Sequence, residues 1–292
     1  MPSNSPIGLW LRARVVTAVA IGAGAAAAAN VPATGAAEAT AGGELTVQQI
    51  LERHVAARGG EEAWHKIQTM AWTGHIESGA GGISKHPFLM MFQRPAATRF
   101  EVLGEGQRSV RVFDGTMGWK LRPTSQGAPE MKEYSPEEVG FARDAGGLDG
   151  PLIDSKAKGI GIALLGTGSV EGHRAYHLKV TLPSGQVRDD WIDAESFLEL
   201  RYDRATRNAV GATGIVSVYL RNYQPVNRLV IPMLIETGGP ASRDSDKMII
   251  ERVALNPTLD NAQFTRPTQP VTRRRGAVVN TQSPPAISRS GR

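Results

Sequence analysis

His173 and His177 stand four residues apart, the separation that sets two imidazoles on one face of a helix as a zinc pair. Their surroundings argue against a helix. Tyr176, Leu178, Val180 and Leu182 alternate with His177, Lys179 and Thr181, so the segment reads as a strand, with the two rings about 13 Å apart along one face. Asp189 and Asp190 are adjacent carboxylates, but neighbours on a strand point to opposite faces and cannot work as an acid–base pair. Asp189 shares the face of Trp191, and Asp193 ends that strand. Ser169, in Gly168-Ser169-Val170, lacks the flanking glycines of a nucleophile elbow. A Ser/His/Asp triad assembled from distant parts stays open, since triads are defined in space. The run Gly22-Ala23-Gly24-Ala25-Ala26-Ala27 spells a dinucleotide fingerprint but follows no strand. With no cysteine in the chain, disulfides, thiolate metal sites, a Cys nucleophile and a lipid-modified N-terminal Cys are all removed. The expectation is no catalytic site, no metal and no cofactor.

The elements that would position any site are mostly strands. Val47, Ile50, Leu51 and Val55 repeat at helical spacing and Gly59-Gly60 stops that helix; Glu61 to Lys66 forms a second short turn. From Thr69 the period becomes two. Met70, Trp72, Gly74 and Ile76 fall on one face, with Thr73, His75 and Glu77 on the other. The alternation returns through Phe100 and Val102, through Met117, Trp119 and Leu121 behind the hairpin signal Asp114-Gly115, and on to Met248–Leu255. It predicts roughly eleven strands, mainly antiparallel. Phe88, Met90, Met91 and Phe92 are apolar on both faces, as in a central strand covered on each side.

Ser135-Pro136-Glu137-Glu138 interrupts the strands with a helix start: a capping Ser, Pro at the first position and acids in the first turn. Val139, Phe141, Leu148, Leu152 and Ile153 give it an apolar side, while Gly140, Gly146, Gly147 and Gly150 weaken it. An apolar helix inserted midway through a sheet must bury its face, and the nearest place is the concave side.

Both ends stand apart. Arg12 and Arg14 precede an apolar run from Val15 to Ala29, and small residues follow, so residues 1–39 read as a secretory signal with cleavage after Ala29 or Ala39. A retained N-terminal anchor is the alternative. Residues 270–292 are rich in Pro, Ser, Thr and Arg and read as a disordered basic tail. The formal charge is +5, but the tail holds five arginines with no acid and residues 1–43 hold a surplus of one. Residues 44–269 are therefore at −1, which leaves no electrostatic footprint for nucleic acid.

Gln93-Arg94-Pro95 before a strand, the Asp114-Gly115 turn with Trp119 close behind, and Phe264-Thr265-Arg266-Pro267 at the end of the sheet are similar, in order and spacing, to motifs of the LolA-like lipoprotein-carrier superfamily. The likeness covers about residues 45–269. It implies a mainly β (α+β) fold, an incomplete antiparallel β-barrel with an N-terminal helix and a mid-chain helical lid over an apolar cavity that receives acyl chains. Arg94 matches the arginine that latches the lid in that family. On this reading Trp72, Ile76, Phe100, Val102, Trp119, Leu121, Tyr176 and Leu178 line the cavity, and Phe141 and Leu148 belong to the lid. The partner is a lipid or lipidated protein, with a membrane donor or acceptor protein, in the periplasm. Two alternatives stay open: a sensor module relaying to a membrane partner through the same barrel, and a hydrolase.

Overall fold

The computed structural model describes residues 45–268 except 79–83, 105–106, 125–126, 146, 208–212 and 239–244. The expected signal at 1–39 and tail at 270–292 lie outside the described residues.

Among the described residues, thirteen strands form one antiparallel sheet: β1 (Thr69–Ser78), β2 (Ser84–Gln93), β3 (Ala97–Gly104), β4 (Gln107–Phe113), β5 (Gly118–Thr124), β6 (Gly127–Glu133), β7 (Gly161–Val170), β8 (His173–Thr181), β9 (Val187–Asp193), β10 (Glu199–Arg207), β11 (Thr213–Val226), β12 (Leu229–Gly238) and β13 (Ser245–Leu255). Their spatial order is β6-β5-β4-β3-β2-β1-β13-β12-β11-β10-β9-β8-β7. The chain thus builds one half outward to β6, crosses to the far edge, and builds the other half back from β7 until β13 pairs with β1. The edges β6 and β7 do not pair among the described residues, so the barrel is unclosed. Sequence alternation predicts two strands fewer, because Gly, Pro and charge in β6 and three glycines among apolar and small residues in β7 blur the period of two.

Among the described residues, three helices accompany the sheet. In α1 (Val47–Ala57) the Thr46 hydroxyl accepts from the Gln49 amide at 3.3 Å and the Gln49 side chain accepts from the Thr46 amide at 2.9 Å, a reciprocal cap. Gly59, at φ 106°, ends the turn, and a Cβ there would lie 2.0 Å from the Arg228 carbonyl oxygen, so only glycine lets the backbone sit against the β11–β12 turn. Then comes α2 (Glu61–His65), and α3 (Pro136–Ala145) lies in the crossover between the two edges.

The register sorts the side chains into two faces. Trp72 pairs with Met90 and Val253, Met90 with Phe100, Phe100 with Arg111, and Arg111 with Lys120. One residue away, Ala71 pairs with Met91, Met91 with Arg99, Arg99 with Val112, and Val112 with Trp119. The first face is concave, for all three helices pack against it. There Trp64 and Ile67 bury Met70, Phe92, Leu229 and Ile231, and Ile50 meets Leu178, Val180 and Ile192. The convex face is covered at β2–β5 by a 3-10 turn (Asn261–Phe264), whose Phe264 packs on Met91, Val110, Val112 and Leu121.

Candidate functional site

The topology forces the crossover to span the open side of the barrel, and named contacts hold it there. Ser135 and Glu138 cap α3 reciprocally, the Glu138 amide donating to Ser135 Oγ at 3.2 Å and the Ser135 amide to Glu138 Oε2 at 3.0 Å. Glu138 also accepts from Lys120 Nζ at 2.5 Å through both oxygens, seating the helix on β5. Burial works against that carboxylate, yet the bonds from Lys120 and the Ser135 amide hold it below the usual carboxylate range. Across the opening, the Phe141 ring covers Arg204 of β10, 5.3 Å from its Cζ, and Asp144 accepts from the Ser184 hydroxyl in the β8–β9 turn. The helix therefore touches both halves of the sheet.

Beyond α3 the chain turns inward. Leu148 packs with Trp64 and Phe92, and the fully buried Asp149 carboxylate accepts from Arg94 Nη2 at 2.7 Å and from Lys158 Nζ at 2.5 Å. Arg94 further donates to the carbonyls of Ile67 (2.8 Å) and Trp64 (3.1 Å). One guanidinium thus joins β2, the end of α2 and the crossover. Sequence reasoning singles out Arg94 but not Asp149, whose role depends on contacts 55 residues apart.

The eight residues expected to share one lining do not come together. Trp72, Ile76, Phe100 and Val102 lie half-buried on the concave face. Trp72 packs edge-on against Phe92 (ring centroids 4.9 Å), Phe100 lies 6.1 Å from Phe88, and Ile76 pairs with Met248. Tyr176 and Leu178 are also on the concave face but under α1, where Leu178 is fully buried and Tyr176 stacks on Phe197 at 5.9 Å. Trp119 and Leu121 are on the convex face, beneath Phe264, while Met117 is an exposed loop residue. The expectation that Trp119 shares the face of Trp72 is thereby corrected. Alternation assigns faces within a strand, but the pairing through β2, β3 and β4 decides them between strands.

The concave face is not uniformly apolar either. On β9 and β10, Arg188 donates to the fully buried Asp190 at 2.5 Å and to Glu199 at 3.2 Å, its guanidinium lying over the Tyr202 ring at 4.1 Å from Cζ to centroid. Tyr223 closes the group by donating to the Glu199 carbonyl at 2.9 Å. Burial pushes Asp190 up, to about 7, and raises Glu199 as well, while both carboxylates hold Arg188 protonated. These shifts pull in opposite senses within one cluster. A single guanidinium facing two dry carboxylates leaves one carboxylate in excess, so the acids share a tendency to hold a proton although the Arg188–Asp190 contact favours charge. The sequence does carry a signal for this, since Arg188, Asp190 and Ile192 fall on one face of β9.

The residues weighed for chemistry take ordinary places. His173 and His177 lie on one strand, paired with Asp193 (3.5 Å) and Asp189 (3.0 Å), and the His177 ring stacks on Trp191 at 4.0 Å. Asp189 and Asp190 point to opposite faces. Ser169 is exposed across from Arg174. Glu61, His65 and Asp154 offer ligand atoms within 4.8 Å of one another, and the 2.5 Å contact of His65 with Asp154 ties α2 to the crossover. A depression of about 250 Å³ at the β7–β8 turn is lined by Val170, Glu171, His173, Leu200 and Arg221 among others, and none of the eight expected lining residues borders it. Among the described residues no helix is long and apolar enough to cross a membrane.

Neither family models nor curated proteins match the chain. Solved structures do. A LolA superfamily protein from Nitrosomonas europaea aligns at 15% identity and a TM-score of 0.52, covering 76% of this chain and 98% of that one. A DUF1329 family protein from Desulfovibrio piger aligns at 14% identity over 75% and 97% of the two chains, with a TM-score of 0.41. An outer membrane lipoprotein-sorting domain from Vibrio parahaemolyticus aligns at 14% over 74% and 94%, at 0.39. The first of these establishes the fold.

Proposed function

Starting from a LolA-like half-barrel, we propose that this protein binds the acyl chains of a lipid or lipidated protein on its concave face, beneath α3, and carries or presents them within the cell envelope after export. The observation that carries this reading is a crossover helix seated on both halves of the sheet together with half-covered apolar side chains on the same concave face. Trp72, Ile76, Phe100 and Val102 form that surface, continued by Met248 and Ile235. Each methylene transferred from water to such a surface gains about 0.8 kcal/mol, so a long chain supplies the driving force without charged contacts. Release requires the cover to move. The seat of α3 is ionic at Lys120–Glu138 and polar at Asp144–Ser184, contacts that water can replace, and Gly140 weakens the helix between them. A membrane donor or acceptor protein would meet the rim that α3 uncovers.

Native purification followed by solvent extraction and mass spectrometry tests this directly. The expected result is a co-purifying acyl lipid, and uptake of a fluorescent fatty acid by delipidated protein that Phe100→Glu removes while the fold is kept. Protein that yields no lipid and takes up no acyl probe would refute the proposal.

A further inference from the structure

Arg188 and Arg204 stand directly opposite one another in the β9–β10 ladder, both on the concave face. Like charges at such a pair repel unless each has a counterion. Arg188 has two, Asp190 and Glu199. Arg204 has no ion pair among the described residues, and its Nη1 is buried without a hydrogen-bond acceptor. A guanidinium donates within its plane and stacks through its face. Phe141 of α3 takes the face, so the lid helix covers Arg204 and leaves its buried Nη1 without an acceptor.

The neighbourhood suits an anion joined to a hydrocarbon. Arg204 itself faces Val216; four residues further along β11, about 13 Å, the cross-strand row Leu220, Ile235, Met248 and Ile76 is apolar and leads toward the Trp72 and Phe100 surface. Arg204 thus lies four strand spacings, about 19 Å, across the sheet and about 13 Å along it from Ile76, a span that calls for a long chain. Asp190, pushed up to about 7 by burial, lets the neighbouring cluster shed a negative charge near neutrality, so that an incoming anion meets less repulsion.

We propose that Arg204 receives the anionic head group, a carboxylate or a phosphate, of an acyl ligand whose chain lies along the concave face beneath α3. This rests on the acyl-chain reading above and adds to it the charge of the cargo. Guanidinium and oxyanion match in a planar, two-bond geometry that an ester or an alcohol does not reproduce.

The test compares cis-parinaric acid with its methyl ester by fluorescence on delipidated full-length protein. The acid is expected to bind at least about tenfold more tightly than the ester, about 1.4 kcal/mol. In Arg204→Gln that ratio should fall to about one, and Arg204→Lys should restore part of it. Equal affinity for acid and ester in the wild type, or a ratio that survives in Arg204→Gln, overturns the head-group assignment and leaves the acyl-chain reading standing. Binding of neither probe overturns the acyl-chain reading itself, and this inference with it. Inorganic phosphate alone, titrated calorimetrically, separates the remaining source. Affinity for phosphate equal to that for parinaric acid would mean a free-anion site and would also overturn the assignment.

Discussion

Replacing Arg94 with Gln should loosen the crossover from the sheet while leaving the strands paired. Arg94 donates three hydrogen bonds, two to the carbonyls of Trp64 and Ile67 and one to the Asp149 carboxylate, whose side chain has no solvent exposure. Breaking a buried ion pair costs about 3–5 kcal/mol when the remaining charge is left alone. Here Lys158 stays 2.5 Å from Asp149 and Arg94 is itself 23% exposed, so the loss should sit lower, at about 2–3 kcal/mol. Urea titration of Arg94→Gln, Asp149→Asn and the double variant separates the pair from its surroundings. The coupling energy should be about 1–2 kcal/mol. Hydrogen exchange should then localise the effect, with amides of residues 147–159 and α2 exchanging faster while β1, β2 and β13 keep their protection. A coupling within about 0.3 kcal/mol of zero, or protection lost evenly across the sheet, would refute the idea that Arg94 fastens the crossover.

Three further outcomes follow from the same contacts. Trp119→Glu places a carboxylate beneath Phe264 and should cost more than about 3 kcal/mol in chemical denaturation, whereas Phe100→Glu, on the half-covered concave face, should keep the thermal transition and lose the acyl probe; the reverse pattern would invert the assignment of faces. His54 is lowered from 6.5 to about 4 by burial, with the Arg58 charge acting in the same direction, and its Nδ1 lies 2.9 Å from the Phe197 carbonyl oxygen. Because the unfolded chain takes up this proton first, the contribution is complete above about pH 6.5 and drains as pH falls toward 4, by about 3 kcal/mol. The stability difference between wild type and His54→Gln should shrink over that window, and a difference independent of pH would show that His54 titrates normally. Lys120→Met leaves Glu138 buried on an apolar neighbour and should destabilise α3 by about 1–3 kcal/mol, read as faster exchange across residues 136–145; unchanged exchange would mean that the ion pair does not seat the helix.

Local chemistry made several features legible in the sequence. Ser135 followed three residues later by Glu138 marks the start of α3, and both hydrogen bonds of that cap form. Asp114-Gly115 marks the β4–β5 turn, where the Asp114 carboxylate accepts from the Thr116 and Met117 amides at 2.7 Å and Gly115 supplies a φ of 101°. Alternation placed His173 and His177 on a strand and set Asp189 and Asp190 on opposite faces, because side-chain direction follows from the backbone pleat within a few residues.

Tertiary pairing decided the rest. Trp72 and Trp119 each sit in a clean alternating strand, but whether they share a face depends on register carried through β2, β3 and β4, and the observed register separates them by one residue. Sequence distance hides the partners of Arg94 and Arg188 in the same way. Asp149 reaches Arg94 only because the crossover must span two sheet edges, and Arg204 meets Arg188 only because β9 and β10 pair in that register. Periodicity is a property of one strand, whereas the face a residue joins, and the charge it finds opposite, are properties of the whole ladder.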